Sequence, residues 1–148
     1  MPELNVQSID QTRLAQVFPL IRSATRVDLT RWEEFGSNLL DAGGGIVAVV
    51  APDQCVHGVA AYRPRTNLRH QRILDVEVIV AFDLRGGDRV RDKLVCALEQ
   101  IAVDTGCAAL HFTVDAKNAT PQSRARMGLE RLGLKLETAA FVRELPAA

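Results

Sequence analysis

Apolar positions along the chain change period several times, and each change marks an element. Leu4 to Ser8 is short and alternating, which predicts a first strand. Asp10 caps a predicted helix through Ser23, in which Leu14, Val17, Phe18 and Ile21 recur at helical spacing and Pro19 predicts a kink or a break. Asp28 caps a second helix over Leu29 to Leu40, with Leu29, Trp32, Phe35 and Leu39 on one face and Gly43-Gly44-Gly45 as its stop.

The period then shortens. Ile46 to Ala51 and Cys55 to Tyr62 are apolar runs joined by Pro52-Asp53-Gln54, which predicts a β-hairpin. Arg63 to His70 reads as a polar loop before a third run, Ile73 to Phe82. After Arg85-Gly86-Gly87-Asp88 a helix extends to about Thr105, burying Val90, Leu94, Ala97, Leu98 and Ile101. Ala108 to Val114 predicts a strand, and Pro121 to Leu132 a last helix closed by Gly133. Leu134 to Leu136 and Ala139 to Leu145 read as closing strands. The strand-helix-strand piece from Ile73 to Val114 requires a right-handed crossover between parallel strands, whereas the hairpin is antiparallel. The expectation is a single α/β domain over residues 1–148: a mixed central sheet with helices on both faces.

Composition narrows the function. The chain has 148 residues, 47% hydrophobic and 24% charged, enough for one core. Lys plus Arg equals Asp plus Glu at 18 each, a balance that argues against nucleic-acid binding. No apolar run is long enough for a membrane span, and Met1 to Gln11 lacks the pattern of a signal peptide, so the expectation is a soluble cytoplasmic protein. Cys55, Cys96 and Cys107 lack metal or redox spacing and read as small buried hydrophobes. His57, His70 and His111 do not form a metal set.

Three segments, in this order, resemble the GNAT superfamily of acyl-CoA-dependent N-acyltransferases across nearly the whole chain. The hairpin Ile46 to Tyr62 is similar to the family's second and third strands. Val78-Ile79-Val80-Ala81-Phe82-Asp83-Leu84-Arg85-Gly86 is similar to its fourth strand running into the pyrophosphate loop. Leu129-Glu130-Arg131-Leu132-Gly133-Leu134 is similar to the end of its last helix. The resemblance implies acetyl-CoA as cosubstrate and transfer of its acetyl group to an amine, on a small molecule or a protein, by direct attack. It places cofactor contacts at Val78, Ile79, Val80, Arg85, Gly86, Gly87, Asp88, Arg89, Val90 and Arg91, with Asn118 or Gln122 on the pantetheine arm. It places the base on the fourth strand, at Glu77 or, second, at Asp75, both on one face.

The loop departs from the family pattern Q/R-x-x-G-x-G/A. Counted from Arg85, Asp88 and Val90 stand at the two small-residue positions. Asp88 also reads as the helix cap after a Gly86-Gly87 turn, and its charge opposes a pyrophosphate. Arg85, Arg89 and Arg91 are either phosphate donors or a solvated helix start. Leu129 falls where the family's proton-donating tyrosine stands, and the lone Tyr62 reads as core or rim packing. Trp32 reads as core and Glu33 and Glu34 as a solvated face; either acid in the cleft would favour a cationic amine. These departures leave a second expectation: a GNAT-like regulatory or partner-binding module without catalysis. Strand edges at the C-terminus suit a homodimer.

Overall fold

The computed structural model describes residues 3–83 and 87–147, which fall into two compact units divided after Val114. In the first unit, β1 (Asn5–Ser8) leads into a short 3-10 turn and the helices α1 (Leu14–Thr25) and α2 (Leu29–Asp41). Then follow β2 (Gly45–Val50), β3 (Val56–Asn67), β4 (Gln71–Ala81), α3 (Arg89–Asp104) and β5 (Ala109–Phe112). The sheet order is β1-β2-β3-β4-β5; neighbours are antiparallel except β4 and β5, which are parallel. The mixed sheet expected from the hairpin and the crossover is therefore present.

Two apolar clusters cover the two faces of this sheet. On one, Leu14, Val17 and Ile21 of α1 and Trp32 and Leu39 of α2 pack on Ile46, Ala48, Val50, Val59 and Ala61. The indole N–H of Trp32 donates to the Leu14 carbonyl at 2.8 Å, tying the two helices together. On the other face, Val90, Leu94, Leu98 and Ala102 of α3 pack on Val47, Val49, Ala60, Leu74 and Val76. Odd and even positions of β2 thus serve opposite cores, as the two-residue period of a strand requires. Gly58 lets α3 come close, because a Cβ there would lie 2.6 Å from Val90 Cγ1.

The second unit is small. It has a 3-10 turn, Ala116–Asn118, and the helix α4 (Arg124–Arg131), capped by the Ser123 hydroxyl on the Arg126 amide.

Several expectations need correction. Arg63 to Asn67 are not loop: β3 continues through them, and only Leu68 to His70 turn. Polar residues outnumber apolar ones there because the ribbon is partly exposed on both sides, so no apolar alternation marks it. Pro64 is tolerated because β2 stops at the Gly45–Tyr62 pair, leaving no partner for the amide that proline lacks. Pro19 does not break α1, where Leu14, Val17 and Ile21 remain buried on a single stripe. Asp10 caps the 3-10 turn, through the Thr12 amide, rather than α1 itself. The last helix starts at Arg124 rather than Pro121. No strand forms over the described residues 134–147; Phe141, Val142 and Leu145 are nearly fully exposed and nothing in that unit pairs with them.

The cysteines are also less buried than expected. Cys55 sits in the β2–β3 turn and Cys96 on the outer side of α3, both exposed, and Cys107 is half-buried. The Asp53 carboxylate, by hydrogen bond and by charge, holds the Cys55 thiol above its ordinary pKa, which disfavours the thiolate.

Candidate functional site

The sheet opens at one defined place. β5 pairs with β4 from Ile73 to Val76, and the Thr113 amide adds a bond to the Val76 carbonyl at 3.1 Å. From Glu77 to Ala81, β4 has no β5 partner among the described residues, while its other side stays paired with β3. A bulge coincides with this parting. Tyr62 pairs with Val76 and the adjacent Ala61 with Val78, so Glu77 is the extra residue of β4. The bulge exchanges the faces of the strand: Leu74 and Val76 face α3 before it, Ile79 and Ala81 after it. Val78 and Val80 then pack toward α1 and α2. Glu77 is exposed.

Beyond Ala81 the chain reaches the start of α3. Arg85 and Gly86 lie outside the described residues; Gly87, Asp88, Arg89, Val90 and Arg91 lie within them. The first helical bond runs from the Asp92 amide to the Asp88 carbonyl, so the amides of Arg89, Val90 and Arg91 precede the ladder. Asp88 occupies the N-cap position, but its side chain accepts no capping bond. That role belongs to Asp83, whose carboxylate accepts from the Val90 amide at 2.7 Å. Arg89 is exposed. Arg91 has a solvent-shielded Nη1 that hydrogen-bonds to no described residue. The Asp88 carboxylate lies 3.4 Å from it, within ion-pair range but without hydrogen-bond alignment. The carboxylate-rich helix start is therefore also one with a cationic N–H in need of an acceptor.

Asp75 is not a free carboxylate. Its Oδ2 lies 2.8 Å from Arg65 Nε of β3, and its Oδ1 lies 3.2 Å from His111 Nδ1 of β5. This set spans three strands one residue before β4 and β5 part. Among the described residues no three His, Cys, Asp or Glu side chains are placed to hold a metal ion.

The remaining positions are structural in the first unit and local in the second. Trp32 is buried, and Glu33 and Glu34 are exposed. Tyr62 packs at the rim of the α3 core over Gly45, and burial raises its phenol pKa. In the second unit Asn118 closes the 3-10 turn, its carbonyl accepting from the Ser123 hydroxyl at 2.8 Å. Gln122 is exposed in the turn before α4, and Leu129 is a half-buried residue of that helix. No described helix is long and apolar enough to cross a membrane.

No family model matches the chain, and no curated protein matches it in sequence. Solved structures do match in fold. The aminoglycoside N-acetyltransferase AAC(6')-Iy, in complex with CoA, superposes with a TM-score of 0.81 at 16% identity, over 97% of this chain and 96% of that one. A transcriptional regulator from Bacillus halodurans gives 0.78 at 14% identity, over 97% and 100%. Glucosamine-6-phosphate N-acetyltransferase from Arabidopsis thaliana gives 0.72 at 10% identity, over 97% and 99%. These superpositions, over nearly the whole of each chain, show that the chain has the GNAT fold.

Proposed function

We propose that the chain is an acetyl-CoA-dependent N-acetyltransferase acting on an amine. The observation that carries this reading is the open β4 edge, Glu77 to Ala81, which runs on toward the amides at the start of α3. An extended pantetheine arm carries amides of its own and can pair with such an edge as an added strand would. Its diphosphate would lie toward the helix start, where amide N–H groups and the dipole favour an anion. Arg91, whose Nη1 hydrogen-bonds to no described residue, and the exposed Arg89 would supply charge-assisted donors there.

The chemistry follows from this placement. The amine nitrogen attacks the thioester carbonyl carbon, the C–N bond forms, and the C–S bond breaks with its electron pair leaving on sulfur. Edge amides of β4 would polarise the carbonyl oxygen as charge develops on it. Glu77, carried on the bulge at the mouth of the opening, is exposed and can reach solvent or an amine. A thiolate leaves without strong acid assistance, so the reaction does not require a tyrosine as acid.

A second reading has its own observation. Asp83 already satisfies the Val90 amide, and Asp88 stands beside it. A helix start supplied with two carboxylates suits a domain that keeps the fold and has given up the cofactor, serving as a regulatory or partner-binding module. Calorimetric titration with acetyl-CoA, with free CoA and ATP as controls, separates the two. Micromolar binding weakened by Arg91→Ala supports the enzyme, and no binding at millimolar ligand leaves the module.

A further inference from the structure

We infer that His111 is a general base of this site, oriented by Asp75; the inference rests on the acetyltransferase reading above. Sequence spacing gave no reason to join these residues, since 36 positions separate them. The parallel register joins them: Asp75 is paired with His111 in the sheet, and both side chains point to the same face. Leu110 and Phe112 turn the other way, into the α3 core, so His111 faces away from α3.

The geometry assigns the parts. Asp75 Oδ1 at 3.2 Å from Nδ1 accepts the Nδ1 proton of neutral imidazole and leaves the lone pair on Nε2. Arg65 Nε fixes the second oxygen of Asp75 from β3, so the carboxylate is held from two sides and is only slightly exposed. Such a carboxylate is poorly placed to take a proton itself and well placed to set the tautomer of its neighbour. The histidine is partly exposed, with 30% of its side chain open to solvent, which a proton-transfer group needs. The pair lies one residue before the last β4–β5 pairing, at the edge of the opening proposed for the thioester.

Among the described residues of the first unit, the charged groups near His111 come from β3 and β4, with Glu77 on the bulge two residues beyond Asp75. From β4 comes Asp75, with Arg65 of β3 behind it and Arg63, the β3 partner of Asp75, beside it. α3, the other element packed on β5, lies across the sheet. In the reaction, the attacking amine gives one proton to Nε2 as its nitrogen bonds to the carbonyl carbon. The imidazolium then passes that proton to the departing thiolate or to solvent, restoring the neutral ring. With no amine present, water can attack by the same route and release acetate and CoA.

Two measurements on the full chain test this. The first is 15N NMR of the wild-type protein at alkaline pH; the expected signature is a protonated Nδ1 and a bare Nε2 on His111. The opposite tautomer overturns the assignment. The second is release of CoA thiol from saturating acetyl-CoA, with water as the acceptor, alongside calorimetric titration of acetyl-CoA. His111→Gln should bind acetyl-CoA as the wild type does and release thiol about 100-fold more slowly or worse. It should also flatten the pH profile of the wild-type rate. Added imidazole should restore part of the rate in His111→Ala. Wild-type binding without thiol release, or an unchanged rate and pH profile in His111→Gln, overturns the base and leaves the cofactor site standing. Absence of acetyl-CoA binding in the wild type overturns the acetyltransferase reading and this inference with it.

Discussion

The Asp83 carboxylate and the Val90 amide meet at 2.7 Å, across seven positions of sequence. A residue of the strand exit thereby caps the helix that follows, in place of Asp88 at the N-cap position itself. The bond satisfies one of the orphan N–H groups of α3. It also sets a negative charge where a diphosphate would seek a positive one. Two effects of opposite sign therefore attach to one side chain.

Asp83→Ala separates them. Loss of the cap should lower unfolding stability by about 0.5–2 kcal/mol in chemical denaturation. Removal of the charge should meanwhile strengthen acetyl-CoA binding by several-fold, since a charge at a helix start is worth about 0.3–1 kcal/mol or more. Weaker binding together with weaker folding would show that the carboxylate shapes the loop more than it repels the ligand.

Arg91→Ala should weaken acetyl-CoA roughly ten-fold or more in calorimetry, the range for a hydrogen bond to a charged group. Free CoA should lose the same factor, because the proposed contact is to phosphate and not to the acetyl group. Equal binding by wild type and variant would mean that the shielded Nη1 is not a ligand donor.

Gly58→Ala tests how tightly α3 sits. The added methyl would lie 2.6 Å from Val90 Cγ1 and 3.0 Å from Leu94 Cδ1. Overpacking of this kind costs about 1–3 kcal/mol. Thermal unfolding should show the loss, and trimming Val90 to alanine in the same chain should return part of it. A Tm equal to that of the wild type would mean that the helix start moves freely.

The Asp10 carboxylate has its pKa lowered, first by the Thr12 hydroxyl and then by the Thr12 amide. Its folded pKa lies below the ordinary 3.8, so its contribution is present above that value and is lost as pH falls through the folded pKa. The Tm gap between wild type and Asp10→Ala should therefore be constant near neutral pH and close as pH drops below about 4. A gap independent of pH would assign the effect to the 3-10 turn geometry rather than to the charge.

The elements that bury one continuous apolar stripe were legible in the sequence. Leu14, Val17 and Ile21, the hairpin from Ile46 to Tyr62, and Val90, Leu94 and Leu98 each declare their period and their face. Arg63 to Asn67 did not, because a partly exposed ribbon carries no apolar signal. Ala139 to Leu145 misled for the opposite reason: an apolar run predicts burial but does not supply a partner. The candidate site divides the same way. The β4 segment Val78 to Val80 was named from its resemblance to a family pattern. Asp83 as a cap and His111 beside Asp75 were not, since each needs a contact between strand ends or strands that no local spacing encodes.

The unpaired stretch of β4 has one more implication, for the life of the protein outside any reaction. Beside Val78, Ile79 and Val80 this edge of β4 has no strand partner among the described residues, which makes it a template on which another extended chain can add. A ligand lying along it would act as a seal, and by mass action would hold the sheet in its closed-off form. The temperature at which the protein begins to aggregate should then rise with acetyl-CoA concentration, even in a variant that no longer transfers anything. The opening proposed to admit a substrate would be the same one that makes an empty molecule adhesive.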